Sequence, residues 1–336
     1  MKLLRIRLPL LLVLFLLFLF ILRVLFLKDI LPSFSFSGTG ESVVRETISS
    51  SFITPYSQLL EGFLFGMKVR FPPELYEAMK KTGTLHMVVA SGYNVTVVAG
   101  FCMLLAGLVP RKAAIIITGV VLFWYASFSH FDAPVVRASI MGGLTFFAQL
   151  TGRLKHALWS LFLTAFLMLF IQPLLLQDIG FQLSFAATLG ILLFSPLLTD
   201  LFHFVFPIIR EDLAVTVSAQ LATAPLLLYH FGSFSPLSLF ANLAIFWVIP
   251  AVMLLGGLFL ATAFVVPVLS VFFQAALQGI LSYVVRVLTF FSILPFSYVT
   301  VHFVHPLLVV GLYLCVASLY LWLQKRTPRH TSFLAV

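Results

Sequence analysis

Charged side chains are scarce in this chain. Asp, Glu, Lys and Arg make up 9% of its 336 residues against 61% hydrophobic ones, and Phe alone occurs 38 times. A soluble domain of this length cannot cover its surface with so few charges, so the composition excludes that class. Cysteine is nearly missing too. Cys102 and Cys315 both fall in apolar runs, which makes them buried packing residues and no disulfide framework. There is no Gly-x-x-x-x-Gly-Lys-Ser/Thr loop and no His-x-His-x-Asp-His cluster. Nucleotide hydrolysis by a P-loop and di-metal hydrolysis of that kind are therefore excluded. The chain is expected to be no enzyme and to need no cofactor or metal. Acidic residues are outnumbered 11 to 20 by Lys and Arg, for a net charge of +9. Most of these cations sit in short loops and at the ends, where membrane topology alone would place them.

What the chain has in abundance is apolar runs of about 20 residues, the length that crosses roughly 30 Å of hydrocarbon. They predict an all-α integral membrane protein, a polytopic helical bundle of about ten transmembrane helices (range about 8–11). The candidate spans are 8–27, 85–109, 113–129, 133–150, 157–176, 181–203, 213–231, 236–265, 269–297 and 303–324. The eighth and ninth are too long for simple spans, and Pro250, Pro267 and Gly256-Gly257 point to breaks there. Lys2, Arg5 and Arg7 precede the first run, but no small-residue cleavage site follows it, so residues 1–27 are expected to be an uncleaved anchor. Inner loops hold Arg111-Lys112, Arg153 and Lys155, and Arg210, and the tail holds Lys325, Arg326 and Arg329, while outer loops hold Asp132 and Asp178. That places both termini in the cytoplasm. Four regions follow: the anchor 1–27, an extracytoplasmic segment 28–84, a multi-pass domain 85–324 and a basic tail 325–336. Within 28–84, Ser33 to Ser51 reads as flexible linker, residues 52–67 as a helix lying in the interface because Glu61 interrupts them, and PPELYEAMKK as a short helix opened by Pro72-Pro73 and closed by Gly83.

Polar residues collect at one end of these spans. His86, Ser91, Gly92 and Asn94 lie in the outer half of the second span, and Asp132 and Arg137 at the outer start of the fourth. Asp178, Gln182 and Ser184 open the sixth. Tyr229, His230 and Ser235 flank the turn between the seventh and eighth, with Asn242 beyond it. Wet helix ends would give some of this, but an Arg inside an apolar run is costly and marks a pathway or a partner. A Ser91–His86 dyad is disfavoured, since five residues at about 100° each put the two roughly 140° apart on a regular helix. Gly92, Thr96 and Gly100 form a small-residue stripe, and Ala186 with Gly190 a second, both expected to be helix-packing faces. His302 and His305 read as interface histidines.

Four blocks then carry a resemblance: LLEGFLFGMKVRFPPELYEAMKKTGTLHMVVASGYNVTVVAG, APVVRASIMGGLTFFAQLTGR, QPLLLQDIGFQLSFAATLGILLFSPLL and SAQLATAPLLLYHFGSFSPLSLFANLAIFWVIP. In this order, over residues 59–265, they resemble the membrane domain of ComEC-type competence proteins, the DNA-uptake channels of transformable bacteria. The resemblance implies an inner-membrane channel that passes one DNA strand into the cytoplasm. It carries over His86, Ser91, Gly92, Arg137, Gly180, Phe181, Gln182, Ser184, Gln220, Pro225, Phe231 and Asn242 as motif positions; Asn94 stands where the family often has His. Neither an extracellular OB-like domain nor a metallo-β-lactamase-like domain fits in this chain, so a compact variant with a separate nuclease is expected. The implied partners are single-stranded DNA, the lipid bilayer, a cytosolic ATP-dependent DNA translocase, an extracellular DNA receptor, and a second copy of the chain as a homo-oligomer. Single-stranded DNA needs cations for phosphates and stacking faces for bases, which Arg137, His86, Tyr93, Tyr229 and Phe231 could supply at an outer mouth. The alternative is a transporter or flippase for a small or lipid-linked polar solute.

Overall fold

The structure, a computed structural model, describes residues 39–66, 70–88, 91–104, 107–150, 157–295, 297–300 and 305–326. It is all-α apart from one two-residue ladder. In order come α1 (Thr39–Ser51), α2 (Tyr56–Phe65), α3 (Pro73–Lys81), α4 (Leu85–Val88), α5 (Gly92–Leu104), α6 (Arg111–Phe128), α7 (Ala133–Leu150) and α8 (Ala157–Ile171). A 3₁₀ turn (Pro173–Gln177) leads to α9 (Ile179–Leu201) and α10 (Pro207–Phe231), then β1 (Ser233–Phe234), α11 (Ser238–Phe246), α12 (Ile249–Val265), α13 (Pro267–Ile293), β2 (Val299–Thr300) and α14 (Pro306–Arg326). β1 and β2 pair antiparallel, Ser233 opposite Thr300.

Ten full-length spans are not what the described residues show. Five helices, α6, α9, α10, α13 and α14, are long and apolar enough to cross a membrane, and a sixth crossing arises if α11 and α12, bent by 42° at their junction, count as one. The shortfall has physical causes. At about 1.5 Å per residue, α5 with 13 residues and α8 with 15 are shorter than the hydrocarbon. α7 has the length but carries Arg137 and Gln149 within its 18 residues. The expected anchor 8–27 lies outside the described residues, as does the tail beyond Arg326. The break expected near Pro250 falls just before it. Pro250 occupies the first turn of α12, where a missing N–H costs nothing, and Gly256-Gly257 stay inside an unbroken helix. The ninth run is likewise one continuous helix, with Arg286 inside it and exposed.

The segment before the bundle is more ordered than its composition implied. Thr39–Ser51 is helix, not linker. Ile48 is fully buried, Glu41 and Arg45 pair at 3.0 Å across one turn, and the hydroxyls of Thr47, Ser50 and Ser51 donate to carbonyls three or four residues back. These local bonds let a Ser/Thr-rich stretch stay helical once an apolar side chain anchors it. Helix α2 is also not amphipathic as an interfacial helix would be. Leu59, Leu60, Glu61, Gly62, Phe63 and Leu64 are all buried, and a helix enclosed on every side belongs to a core. It packs against α12 and α13 and sits close to α4, since a Cβ on Gly62 would lie 2.7 Å from the Val88 carbonyl oxygen. The charged helix α3 is as expected, ending before Gly83 with φ 65°, a left-handed value that glycine takes without strain.

Three apolar clusters hold these elements. The largest joins α1–α7 to α11, α12 and α13 around Phe63, Met79, Ile245, Val252, Phe259 and Leu281. A second joins α9, α10 and α14, and a third packs Ala133, Met168 and Phe181 where α7, α8 and α9 meet. α9 and α10 lie closest, because Gly190 offers no side chain: a Cβ there would be 2.5 Å from Ala222 Cβ and 2.6 Å from the Ser218 carbonyl oxygen. Without a hydrophobic drive between lipid-soaked helices, such close approach supplies the packing energy. The other stripe is close at one end only, where a Cβ on Gly92 would lie 3.4 Å from Ala138 Cβ on α7. Gly100 has nothing within 4 Å. Cys102 is buried, but Cys315 is exposed on α14, against the expectation for it.

Candidate functional site: the Arg137 cluster

The second run is not one regular helix. α4 ends at Val88 and α5 begins at Gly92, with Ser91 between them outside any helix. His86 lies on α4 and Ser91 outside it, so the two do not share one regular helix. Ser91 instead caps α5. Its hydroxyl donates to Asn94 Oδ1 at 3.0 Å and accepts the Asn94 N–H at 3.4 Å, the bonding expected of Ser at a helix start. Asn94, fully buried, donates from Nδ2 to the Phe63 carbonyl at 3.2 Å. Phe63 is in the last turn of α2, whose carbonyls lack intrahelical donors. Asn94 thus ties the start of α5 to the end of α2.

Arg137 stands one turn into α7. Its Nε donates to Ser184 Oγ on α9 at 2.6 Å, and Nη1 points to Met141 Sδ at 3.7 Å. The far end of the guanidinium lies over Gly92: a Cβ there would sit 2.4 Å from Arg137 Nη2. Among the described residues no carboxylate forms an ion pair with Arg137. Gly92, Arg137 and Ser184, expected separately, thus form one cluster across α5, α7 and α9. The turn into α7 holds Arg137 at this depth. His130 and Phe131 both have φ 55°, left-handed values rare outside glycine, and Phe131 N–H reaches back to the Ala126 carbonyl at 2.8 Å.

Other expected residues form separate contacts. Gln182 Nε2 donates to the Leu176 carbonyl at 2.8 Å, and its Oε1 accepts from His230 Nε2 at 2.8 Å, which joins the 3₁₀ turn, α9 and the end of α10. Gln220 Nε2 donates to Ser238 Oγ at 3.0 Å, linking α10 to α11. One turn along α11, Asn242 is buried with no partner for Oδ1. Gly83 brings the Thr82–Thr84 segment onto this seam, since a Cβ there would be 2.8 Å from Ser238 Cβ. Sequence reading missed Thr82 and Thr84, both buried with their hydroxyls 2.9 Å apart; the Gly between two Thr was the available signal.

Asp178 caps α9 by accepting the Phe181 N–H at 2.7 Å, and Gly180 lies inside the first turn of that helix with Pro134 close by. Phe181 lies in the core, 5% exposed and 4.4 Å from the Phe185 ring. Tyr229 and Phe231 are exposed at the end of α10, and no described contact joins them to the Arg137 cluster. The Tyr93 ring packs tilted against Phe246, centroids 4.1 Å apart, at the α11–α12 bend.

These positions lie within the residues, 63–326, that match the family model for competence proteins. The chain belongs to the competence-protein family. It is 27% identical over 201 residues to ComE operon protein 3 of Bacillus subtilis (strain 168), an alignment that takes in 59% of this chain and 25% of that protein. It is 35% identical over 233 residues to an uncharacterized protein of Aquifex aeolicus (strain VF5), covering 69% of this chain and 53% of the other. The chain thus spans a quarter of the length of the first relative and about half of the second. No solved structure matches. Family and apolar helices together make this competence protein a multi-pass membrane protein.

Proposed function

We propose that the chain forms the membrane path by which a single DNA strand enters the cytoplasm during natural transformation, with Arg137 as a phosphate contact. The observation that carries this reading is the placement of Arg137: inside the bundle, held by Ser184 and laid over Gly92, with no carboxylate of the described residues to neutralise it. An intramembrane guanidinium is costly unless something anionic visits it, and its planar fork suits a phosphodiester. Asn94 and Ser91 position the α5 backbone beside it. The remaining polar seam, Gln220, Ser238 and Asn242, offers neutral hydrogen-bonding groups that bind weakly, as a conduit must if it is to release its cargo. In the proposed arrangement the protein sits in the bacterial inner membrane with both termini cytoplasmic, and the shorter helices α5, α7 and α8 complete the crossings to about ten spans. An external DNA receptor would feed it, a cytosolic ATP-dependent translocase would pull the strand, a separate nuclease would degrade the other strand, and two copies would associate.

The test replaces Arg137 in a transformable host that depends on this protein. Arg137→Lys keeps the charge and Arg137→Gln removes it. Lys should retain much of the uptake of labelled DNA and Gln little, both at parental membrane levels. Parental uptake by Arg137→Gln, or failure of both variants to accumulate, refutes the phosphate contact. A guanidinium also takes the phosphate of a lipid-linked solute. Liposomes holding the purified protein separate the two, because passage of that solute but not of DNA would favour the flippase alternative.

A further inference from the structure

Glu61 is a carboxylate that the DNA path does not use. It sits in the middle of α2 among Leu59, Leu60, Phe63 and Leu64 and is 6% exposed. No hydrogen bond or ion pair from a described residue reaches it. The nearby cation is spoken for: Arg45 Nη2 on α1 pairs with Glu41 Oε1 at 3.0 Å, while Arg45 Nε is buried without a partner. Three residues before Glu61, Gln58 Oε1 is also buried and unbonded. An isolated ionised carboxylate in such surroundings is strongly disfavoured.

We propose that Glu61 is a proton-binding site, carried as the neutral acid within the core and, when it ionises, drawing Arg45 away from Glu41. Arg45 has a donor free for this, since Nε has no acceptor. Of the elements packed on α2, α1 brings Glu41, Arg45 and Glu46, and the described side chains of α4, Leu85, Met87 and Val88, are apolar. α12 carries no titratable side chain, and α13 carries Tyr283, bonded to the Ala244 carbonyl, and the exposed Arg286. The charges that act on Glu61 are Arg45 and Glu41. Burial raises its pKa, Arg45 lowers it and Glu41 raises it, with burial the largest effect. A carboxyl whose folded pKa is raised keeps its proton to higher pH in the fold than in the unfolded chain. Stability therefore falls as pH rises from the ordinary carboxylate range through the folded pKa.

Dicyclohexylcarbodiimide adds to protonated carboxyls in apolar surroundings. Membranes holding the full chain are treated with it from about pH 5 to about pH 8, a range in which an ordinary Glu, with a pKa of about 4.3, is ionised, and adducts are located by mass spectrometry. Glu61 should carry an adduct that persists to higher pH than any adduct at a surface Glu. Exposed Glu74 and Glu77 should carry little throughout, and Glu61→Gln should lose the adduct while melting at a temperature less dependent on pH. Arg45→Gln, which removes the cation that favours ionisation, should move the loss of that adduct to higher pH. No adduct at Glu61 at any pH, a curve like that of Glu74, or an unmoved curve in Arg45→Gln would overturn the proposal.

Discussion

At the scale of single residues, two side chains expected to do the same work divide it. Arg137 and Gln182 each open a helix at the same end of the bundle. Arg137 has one hydroxyl and one sulfur for company. Gln182 has both ends of its amide used, by the Leu176 carbonyl and by His230. A satisfied amide that joins three elements is a structural bond, and cutting it leaves a carbonyl and an imidazole short of partners. Gln182→Leu is therefore expected to lower stability by about 1–3 kcal/mol, read as a lower melting temperature in detergent, with DNA uptake and membrane level falling together. Unchanged melting with lost uptake would return Gln182 to the path. The importance of Arg137 was legible in the sequence, because a lone cation in an apolar run is conspicuous. Its neighbours were not: Gly92 lies 45 positions away and Ser184 47, and only the crossing of α5, α7 and α9 brings them together.

At the scale of elements, the two glycine stripes separate pattern from contact. Gly92–Thr96–Gly100 and Ala186–Gly190 look alike in sequence, yet Gly190 lies against the Ser218 backbone and Ala222 whereas Gly100 meets nothing. Gly190→Ala is expected to force α9 and α10 apart and cost about 1–3 kcal/mol, because a helix backbone cannot yield as a side chain tip can. Gly100→Ala should be neutral or slightly stabilising, since Ala is the better helix former. Thermal unfolding of the two variants side by side decides this; equal losses would mean that Gly100 also packs. The same difference between pattern and contact explains the other surprises. α1 looked like linker because its Ser and Thr are polar, and it is helix because Ile48 is buried. α2 looked interfacial because of Glu61, and it is core because α12 and α13 enclose it. α3 was legible throughout, since Pro and Gly set its ends locally.

At the scale of the whole molecule, the open quantity is how many times the chain crosses, and the helix lengths turn it into a parity problem. With Glu77 on α3 placed outside, as in the proposed arrangement, the exposed Leu174 in the 3₁₀ turn and the exposed Lys325 at the end of α14 report on successive stretches. If α5 to α14 all cross, with α11 and α12 as one crossing, α5 to α8 return the chain to the outside and Leu174 shares the side of Glu77, while Lys325 is inside. If only the five long helices cross, α6 alone precedes Leu174, which then lies inside, and Lys325 is inside too. If the bent α11–α12 pair adds a sixth crossing, Leu174 is inside and Lys325 outside. Single cysteines replace Glu77, Leu174 and Lys325 in turn, in a protein whose Cys102 and Cys315 are changed to Ala; Cys315 must go because it is exposed. An impermeant maleimide on intact cells is expected to label positions 77 and 174, and position 325 only after the membrane is opened. α5, α7 and α8 belong to the same apolar clusters as the long helices, and short helices can span where neighbours or a locally thinned bilayer cover the deficit. Protection of position 174 in intact cells would mean an odd number of crossings before it, so that at least one of α5, α7 and α8 does not carry the chain across.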